Sequence, residues 1–165
     1  MKLLLIRHGV AEERGPRYPD DSLRPLTEAG MAKMATIAAG LETLARPLRV
    51  LSSPFTRARQ TADIVAKQFS AEVEEIQALC VGNDDQLFEA AAWGGEAVVA
   101  AVGHEPLLSM TLSNLLTGNE STAQLLFKKG AAALVECGIA PRPGTGRLEW
   151  LIQPGALRAL ARTNH

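Results

Sequence analysis

Cysteine and histidine are scarce in this chain of 165 residues, which holds two cysteines, Cys80 and Cys137, and three histidines. Two thiols supply neither the disulfide framework of a small secreted scaffold nor the ligand spacing of a zinc site, so a reducing compartment, the cytoplasm, is the expected setting. No metal and no cofactor are expected. An excess of charge of either sign is also missing. With 17 Lys and Arg against 18 Asp and Glu the net charge is −1, which argues against a general nucleic-acid binder but leaves room for a local basic pocket. Long apolar runs are lacking too. The opening Leu3-Leu4-Leu5-Ile6 stops at Arg7-His8, far short of a signal peptide's apolar region, and nothing approaches the length of a membrane span, so no membrane partner is expected. Repeats, linkers and low-complexity segments are not seen either. What is present, 47% apolar and 21% charged residues, is ordinary for a globular protein. The length suits one domain, 1–165, with a core that needs no staple.

Strand-like and helix-like runs alternate, the mark of an α/β sheet with helices on its faces. Residues 2–6 read as the first strand. From Thr27, an N-cap, Met31, Met34, Ile37, Leu41 and Leu44 recur at helical spacing until Pro47 closes the run. Residues 48–51 read as a second buried strand. Ser52-Ser53-Pro54 then offers a cap followed by proline, suited to start a helix carrying Ala58, Ala62, Val65 and Phe69. A short strand over 72–76, a helix near 84–92 and a central strand over 97–102 follow. Gly103-His104-Glu105-Pro106 leads into a helix with Leu107, Met110, Leu112 and Leu115, and the tail offers strands over 132–136 and 148–152. The conspicuous irregular stretch is 9–26, where Gly15, Pro16, Pro19 and Pro25 disfavour a helix. It carries Arg14, Arg17 and Arg24 with Asp20 and Asp21, and composition alone fits a solvated surface loop as well as a substrate-facing one.

The strand-to-helix junctions become informative together. The first delivers Arg7 and His8, the second leads to Arg57 in the first turn of its helix, and the central strand delivers His104. If these strands are parallel neighbours, two imidazoles, two guanidiniums and two helix amino termini meet at one edge of the sheet, where α/β folds build their sites. Such a set suits a phosphoryl group. Guanidinium forks pair with its oxygens, helix starts add N–H donors, and a neutral imidazole can attack phosphorus to form a phosphoenzyme that water resolves. Each member alone has a plainer reading: His8 as an exposed turn residue, His104 as a cap or packing residue, Arg57 and Arg59 as surface charge. For Arg59 and for the terminal His165 the plain reading stands. Their joint placement favours phosphate.

The residues carrying this pattern resemble a known family. Arg7-His8-Gly9 after the first strand, Ser52-Ser53-Pro54 with Arg57, Gln60-Thr61-Ala62, and Val102-Gly103-His104-Glu105-Pro106 resemble the histidine phosphatase superfamily, in order, from residue 2 to about 110. The short length and Asp21-Ser22-Leu23-Arg24-Pro25-Leu26-Thr27 resemble its small bacterial phosphohistidine phosphatases. The resemblance implies a three-layer α/β/α sandwich around a mostly parallel central sheet. It also implies catalytic roles: His8 as nucleophile, Arg7 and Arg57 on the phosphoryl oxygens, His104 as a donor to the same group. Arg24 would contact phosphate or substrate. The implied substrate is a phosphorylated histidine-containing protein.

One departure bears on chemistry. Superfamily members acting on phosphate esters commonly carry a carboxylate that protonates the leaving oxygen. Here the segment 70–96 is short, and the acidic candidates are Asp84, Asp85 and Glu105. General acid help is worth about 10²–10⁴-fold for an alkoxide, whereas a phosphoramidate leaves as imidazole and needs less. Phosphohistidine on a protein is therefore the first expectation. A small phosphate ester is the second, and a noncatalytic phosphate-binding module is the remote third, since a binder needs no nucleophile.

Overall fold

The protein is described here by a computed structural model covering residues 1–163, and His165 lies outside the described residues. Strand β1 (Lys2–Arg7) is buried along Leu3–Ile6. It reads as an unbroken apolar run because both of its faces are covered. The sheet has six strands in the order β3-β2-β4-β1-β5-β6, the others being β2 (Arg49–Ser52), β3 (Glu72–Glu75), β4 (Val98–Gly103), β5 (Ala132–Glu136) and β6 (Arg147–Ile152). Strands β3, β2, β4 and β1 pair in parallel, and β5 runs antiparallel between β1 and β6.

Alternate side chains of β1 enter separate cores. Leu4 and Ile6 pack with Met34, Ile37, Ala62, Val65 and Leu157, under α1 (Glu28–Leu41), α2 (Thr56–Phe69) and α6 (Pro154–Arg162). Leu3 and Leu5 pack with Leu79, Leu87, Phe88, Leu108 and Leu112, under α3 (Ala78–Val81), α4 (Asp84–Ala92) and α5 (Leu107–Thr117). The result is the expected three-layer α/β/α sandwich around a mostly parallel sheet.

Thr27 caps α1 as its sequence position predicts, accepting the Gly30 N–H at 2.9 Å. The helix ends at Leu41 rather than at Pro47, and Leu48 is exposed because the strand begins one residue later, at Arg49. Two elements escaped the sequence reading. The four-residue α3 is too short to show a period. Helix α6 opens on Pro154-Gly155, a dipeptide that reads as a turn, yet proline is well suited to a first helical position. It docks so tightly on α1 that a Cβ at Gly40 would stand 1.9 Å from the Leu157 carbonyl oxygen.

The expected cap at Ser52-Ser53-Pro54 is corrected. The N-cap of α2 is Phe55, with no side-chain cap bond. Ser53 is engaged elsewhere, in the site. The irregular stretch 9–26 is fastened at its base. Ala11 and Leu26 form an antiparallel bridge, the Glu12 N–H donates to the Pro25 carbonyl at 2.9 Å, and the Thr27 N–H donates to the Val10 carbonyl at 3.0 Å. Inside it, Asp21–Leu23 makes a 3₁₀ turn.

Candidate active site

Sheet register brings the motif residues together. Val102 of β4 pairs with Ile6 of β1 on one side and Ser52 of β2 on the other, so the three strands end level. The next residues are then held side by side: the His8 N–H donates to the Gly103 carbonyl at 3.1 Å and the Ser53 N–H to the Val102 carbonyl at 3.0 Å. The glycine after His8 is needed for close approach, since a Cβ there would lie 2.5 Å from the Met34 side chain of α1. Its N–H donates to Thr61 Oγ1 at 3.1 Å, and the Thr61 hydroxyl donates in turn to the Arg57 carbonyl at 2.8 Å. Gln60 Oε1 accepts the Leu26 N–H at 2.7 Å. The Gln60-Thr61 pair thus ties both the His8 turn and the base of the 9–26 loop to α2.

His8 and His104 face one another with ring centroids 5.1 Å apart, and both are buried. His8 Nδ1 lies 2.7 Å from the Gly9 carbonyl oxygen, which can only accept, so the proton sits on Nδ1 and Nε2 keeps its lone pair. Burial pushes the His8 pKa down to about 3, and the nearby His104, Arg57 and Arg7 push the same way. Burial, then Arg57, lowers His104 to about 4. Both rings are neutral near pH 7, the state a nucleophilic imidazole requires. The Phe55 ring packs on His104 at 4.9 Å and under the Arg57 guanidinium at 5.0 Å.

The cations are held from the periphery. Arg7 Nη1 donates to the Phe127 carbonyl at 2.6 Å. Arg57 donates to Asp21 twice, to the carbonyl at 2.7 Å and to Oδ2 at 3.0 Å, while Arg24 Nε and Arg14 Nε meet Asp21 Oδ1 at 2.9 and 3.2 Å. The hydrogen bond from Arg24, then the charges of Arg57, Arg24 and Arg14, hold the Asp21 carboxyl below the usual carboxylate range. Four buried side-chain nitrogens among the described residues have no hydrogen-bond partner. One, Arg49 Nε, stands 3.2 Å from Glu96 in an ion pair. The others are Arg7 Nε, Arg57 Nε and His104 Nδ1. A buried polar atom without a partner costs about 1–3 kcal/mol, so three such nitrogens on residues lining one cavity, two of them guanidinium donors, mark a place suited to an anion.

That place opens on a cavity of about 350 Å³ whose walls include Glu105 and the five residues expected to bind or attack the phosphoryl group, Arg7, His8, Arg24, Arg57 and His104. Residues 3–80 match the histidine phosphatase superfamily (branch 1). Over 165 residues the chain is 30% identical to phosphohistidine phosphatase SixA of Escherichia coli K12, covering 96% of this chain and 97% of that one. The chain belongs to the histidine phosphatase superfamily. A Picosynechococcus protein is also 30% identical, over 90% of this chain and 89% of its own. The structure of SixA complexed with tungstate superposes with a TM-score of 0.79 at 29% identity, covering 95% of this chain and 99% of that one. With the superfamily comes phosphatase chemistry on a histidine nucleophile.

Of the carboxylates that the sequence offered as acids, Glu105 lines this cavity and Asp84 and Asp85 do not. Asp84 accepts from Thr111 Oγ1 at 2.6 Å and Asn114 Nδ2 at 2.8 Å, fastening α4 to α5, and Asp84 and Asp85 line a different cavity. Glu105 lines the His8 cavity, but it accepts the Ser109 hydroxyl at 2.6 Å and the Phe127 N–H at 3.1 Å. It therefore holds the very residue whose carbonyl holds Arg7. Sequence reasoning missed Glu12, Glu13 and Lys129, which line the cavity together with Arg14 of the 9–26 loop. Glu12 and Glu13 could have been found as the first charges past Arg7-His8-Gly9. Nothing marks Lys129 in the sequence. Burial, then Arg7, Arg24 and Arg57, lower its pKa, which places its amine in the same positive field. Among the described residues no group of three or more His, Cys, Asp or Glu could hold a metal ion, and no helix is long and apolar enough to cross a membrane.

Proposed function

We propose that this phosphatase removes phosphoryl groups from phosphohistidine on proteins, by way of a phosphoenzyme on His8. The lone pair of His8 Nε2 attacks phosphorus as the P–N bond to the substrate's imidazole breaks, and with that ring protonated on its other nitrogen the electron pair of the bond leaves on a neutral imidazole. Arg7, Arg57 and His104 hold the three equatorial oxygens as charge spreads over them, and Arg24 binds at the cavity rim. Water then attacks the phosphorus on His8, releasing inorganic phosphate and restoring the neutral ring. The positive field of the arginines does the work that a metal would otherwise do.

The observation that carries this reading is the employment of the carboxylates. Glu105, the acid adjoining His104, is taken up by Ser109 and Phe127, and Asp84 by α5. A leaving imidazole tolerates that, and an alkoxide does not. Likeness to SixA along nearly all of both chains supports the same substrate. A second reading has one observation in its favour: Glu12 and Glu13 line the cavity and could protonate a small ester. Phosphate release from a protein phosphorylated on histidine, run beside p-nitrophenyl phosphate, separates the two. The expected result is a large preference in kcat/KM for the phosphohistidine protein, and a preference for the ester would replace the first reading with the second.

A further inference from the structure

Ser53 is fully buried just past the end of β2, beside the strand β4 that leads to His104. Its Oγ lies 2.8 Å from His104 Nε2 and accepts the Phe55 N–H at 3.3 Å. A hydroxyl carries one proton and two lone pairs, and an imidazole can either give or take at Nε2. If Nε2 carried the ring proton and donated to Ser53, the serine oxygen would accept twice. Its own proton would then lack an acceptor at a fully buried position, and His104 Nδ1 would hold a bare lone pair. If Ser53 donates to Nε2, every atom of the serine is satisfied. The ring proton then falls on Nδ1, which is buried and has no partner within the protein. Only the second arrangement leaves a single open group, and that group is a donor. The first would turn a lone pair toward an anion.

We propose that Ser53 is a positioning residue that fixes His104 in its Nδ1–H tautomer and so makes it a hydrogen-bond donor to the phosphoryl oxygens. His8 and His104 then hold the same tautomer for opposite purposes. In His8 the Nδ1 proton is spent on the Gly9 carbonyl, which frees Nε2 to attack. In His104 the serine occupies Nε2, which frees Nδ1–H to bind. The next residue in the chain decides which end of His8 faces the chemistry, and the serine past the neighbouring strand decides it for His104. This inference rests on phosphatase chemistry at the site and is independent of which phosphorylated substrate is used.

The test is a long-range proton–nitrogen NMR spectrum of the ¹⁵N-histidine-labelled protein at pH 7, with the His104 pattern assigned by its loss in His104→Gln. The wild type is expected to show His104 protonated at Nδ1 with a pyridine-type Nε2, and His8 the same. In Ser53→Ala the His104 pattern should move toward Nε2–H or a mixture while His8 stays unchanged as the internal control. Tungstate affinity should fall about tenfold with it, as for the loss of one charge-assisted hydrogen bond. Ser53→Thr, which keeps the hydroxyl, should restore both. A proton on Nε2 of His104 in the wild type overturns the proposal without any variant, and so does Ser53→Ala with His104 still wholly Nδ1–H. Neither measurement involves phosphohistidine, so a failed substrate assignment leaves the tautomer result intact.

Discussion

The two sides of the cavity are built on opposite principles. On one side His8, Ser53 and His104 leave three strands whose ends are level, and the parallel ladder sets their spacing. On the other side Glu12, Glu13, Arg14, Asp21 and Arg24 come from the 9–26 loop, and Lys129 follows the segment that also supplies Phe127. The strand side carries bond-making atoms in fixed orientation. The loop side carries charge, organised through one carboxylate, Asp21, that meets three arginines. Atoms that react must be placed to fractions of an ångström, whereas charge acts over longer range and tolerates a softer frame. The sheet therefore holds the chemistry and the loop holds the field.

If that division holds, damage to the strand side should be far worse than damage to the loop side. The largest expected effect is that of His8→Ala: a fall in turnover of at least about 10⁴-fold with the fold intact, measured by phosphate release and by rapid-quench trapping of phosphoenzyme. Substantial residual turnover would remove the nucleophile assignment. Arg57→Lys keeps the charge but loses the planar fork, and kcat/KM should drop by about 10²-fold. Near-normal efficiency would make Arg57 a peripheral cation. Acid offers a reversible version of the first experiment. With His8 at about 3 and His104 at about 4, both rings stay neutral from pH 8 down to pH 5. Single-turnover phosphoenzyme formation should then show no histidine titration in that range and fall only as pH drops through 4. A midpoint near the ordinary histidine value of about 6.5 would contradict the burial of the pair.

The same shifts have a consequence for stability. Both folded pKa values lie below the unfolded value, so the unfolded chain takes up protons first as pH falls below about 6.5. The stability contributed by the neutral pair is present above that pH and is lost progressively toward the folded values of about 4 and 3.

On the loop side the effects should be smaller. Asp21→Ala removes the anchor of Arg57 and Arg24, so tungstate binding and KM should weaken by about tenfold, roughly 1.4 kcal/mol, with kcat little changed. A loss confined to kcat would instead make Asp21 a proton donor. The smallest catalytic effect belongs to Asp84→Ala, which should leave kcat/KM for a phosphohistidine protein within about twofold. It should lower unfolding stability by about 1–2 kcal/mol, because two part-buried hydrogen bonds to α5 are lost.

The same division explains what could be read from the sequence. Strands β1 and β4 were legible because buried parallel strands are apolar along nearly their whole length, and the residues at or just past their ends, Arg7, His8 and His104, inherit their position from the ladder. Arg57 was legible as the second residue of a helix whose start is fixed by β2. Asp84 and Asp85 could not be aimed from the sequence because an acidic pair at a helix start looks the same whether it serves a cavity or bonds a neighbouring helix. Ser53 looked like a cap because serine before proline usually is one, and only the pairing of β2 with β4 reveals that His104 takes its hydroxyl. Lys129 was invisible since its place depends on where the chain returns after α5. Helix α6 hid behind the Pro-Gly pair that opens it.

The bridge between Ala11 and Leu26 makes the 9–26 excursion a cassette. Its two ends are stitched to each other and, through Gln60, to α2. A change in length between them is absorbed above the stitch and never reaches the strand ends. Loop-closure entropy grows only slowly with length, each doubling costing about 0.6 kcal/mol, so such a change is thermodynamically mild. The exposed residues Glu13 to Arg17 at the tip can therefore be recut to admit a different partner surface while the histidines keep their register. In this architecture the choice of substrate can drift, by insertion or graft, without the chemistry being rebuilt.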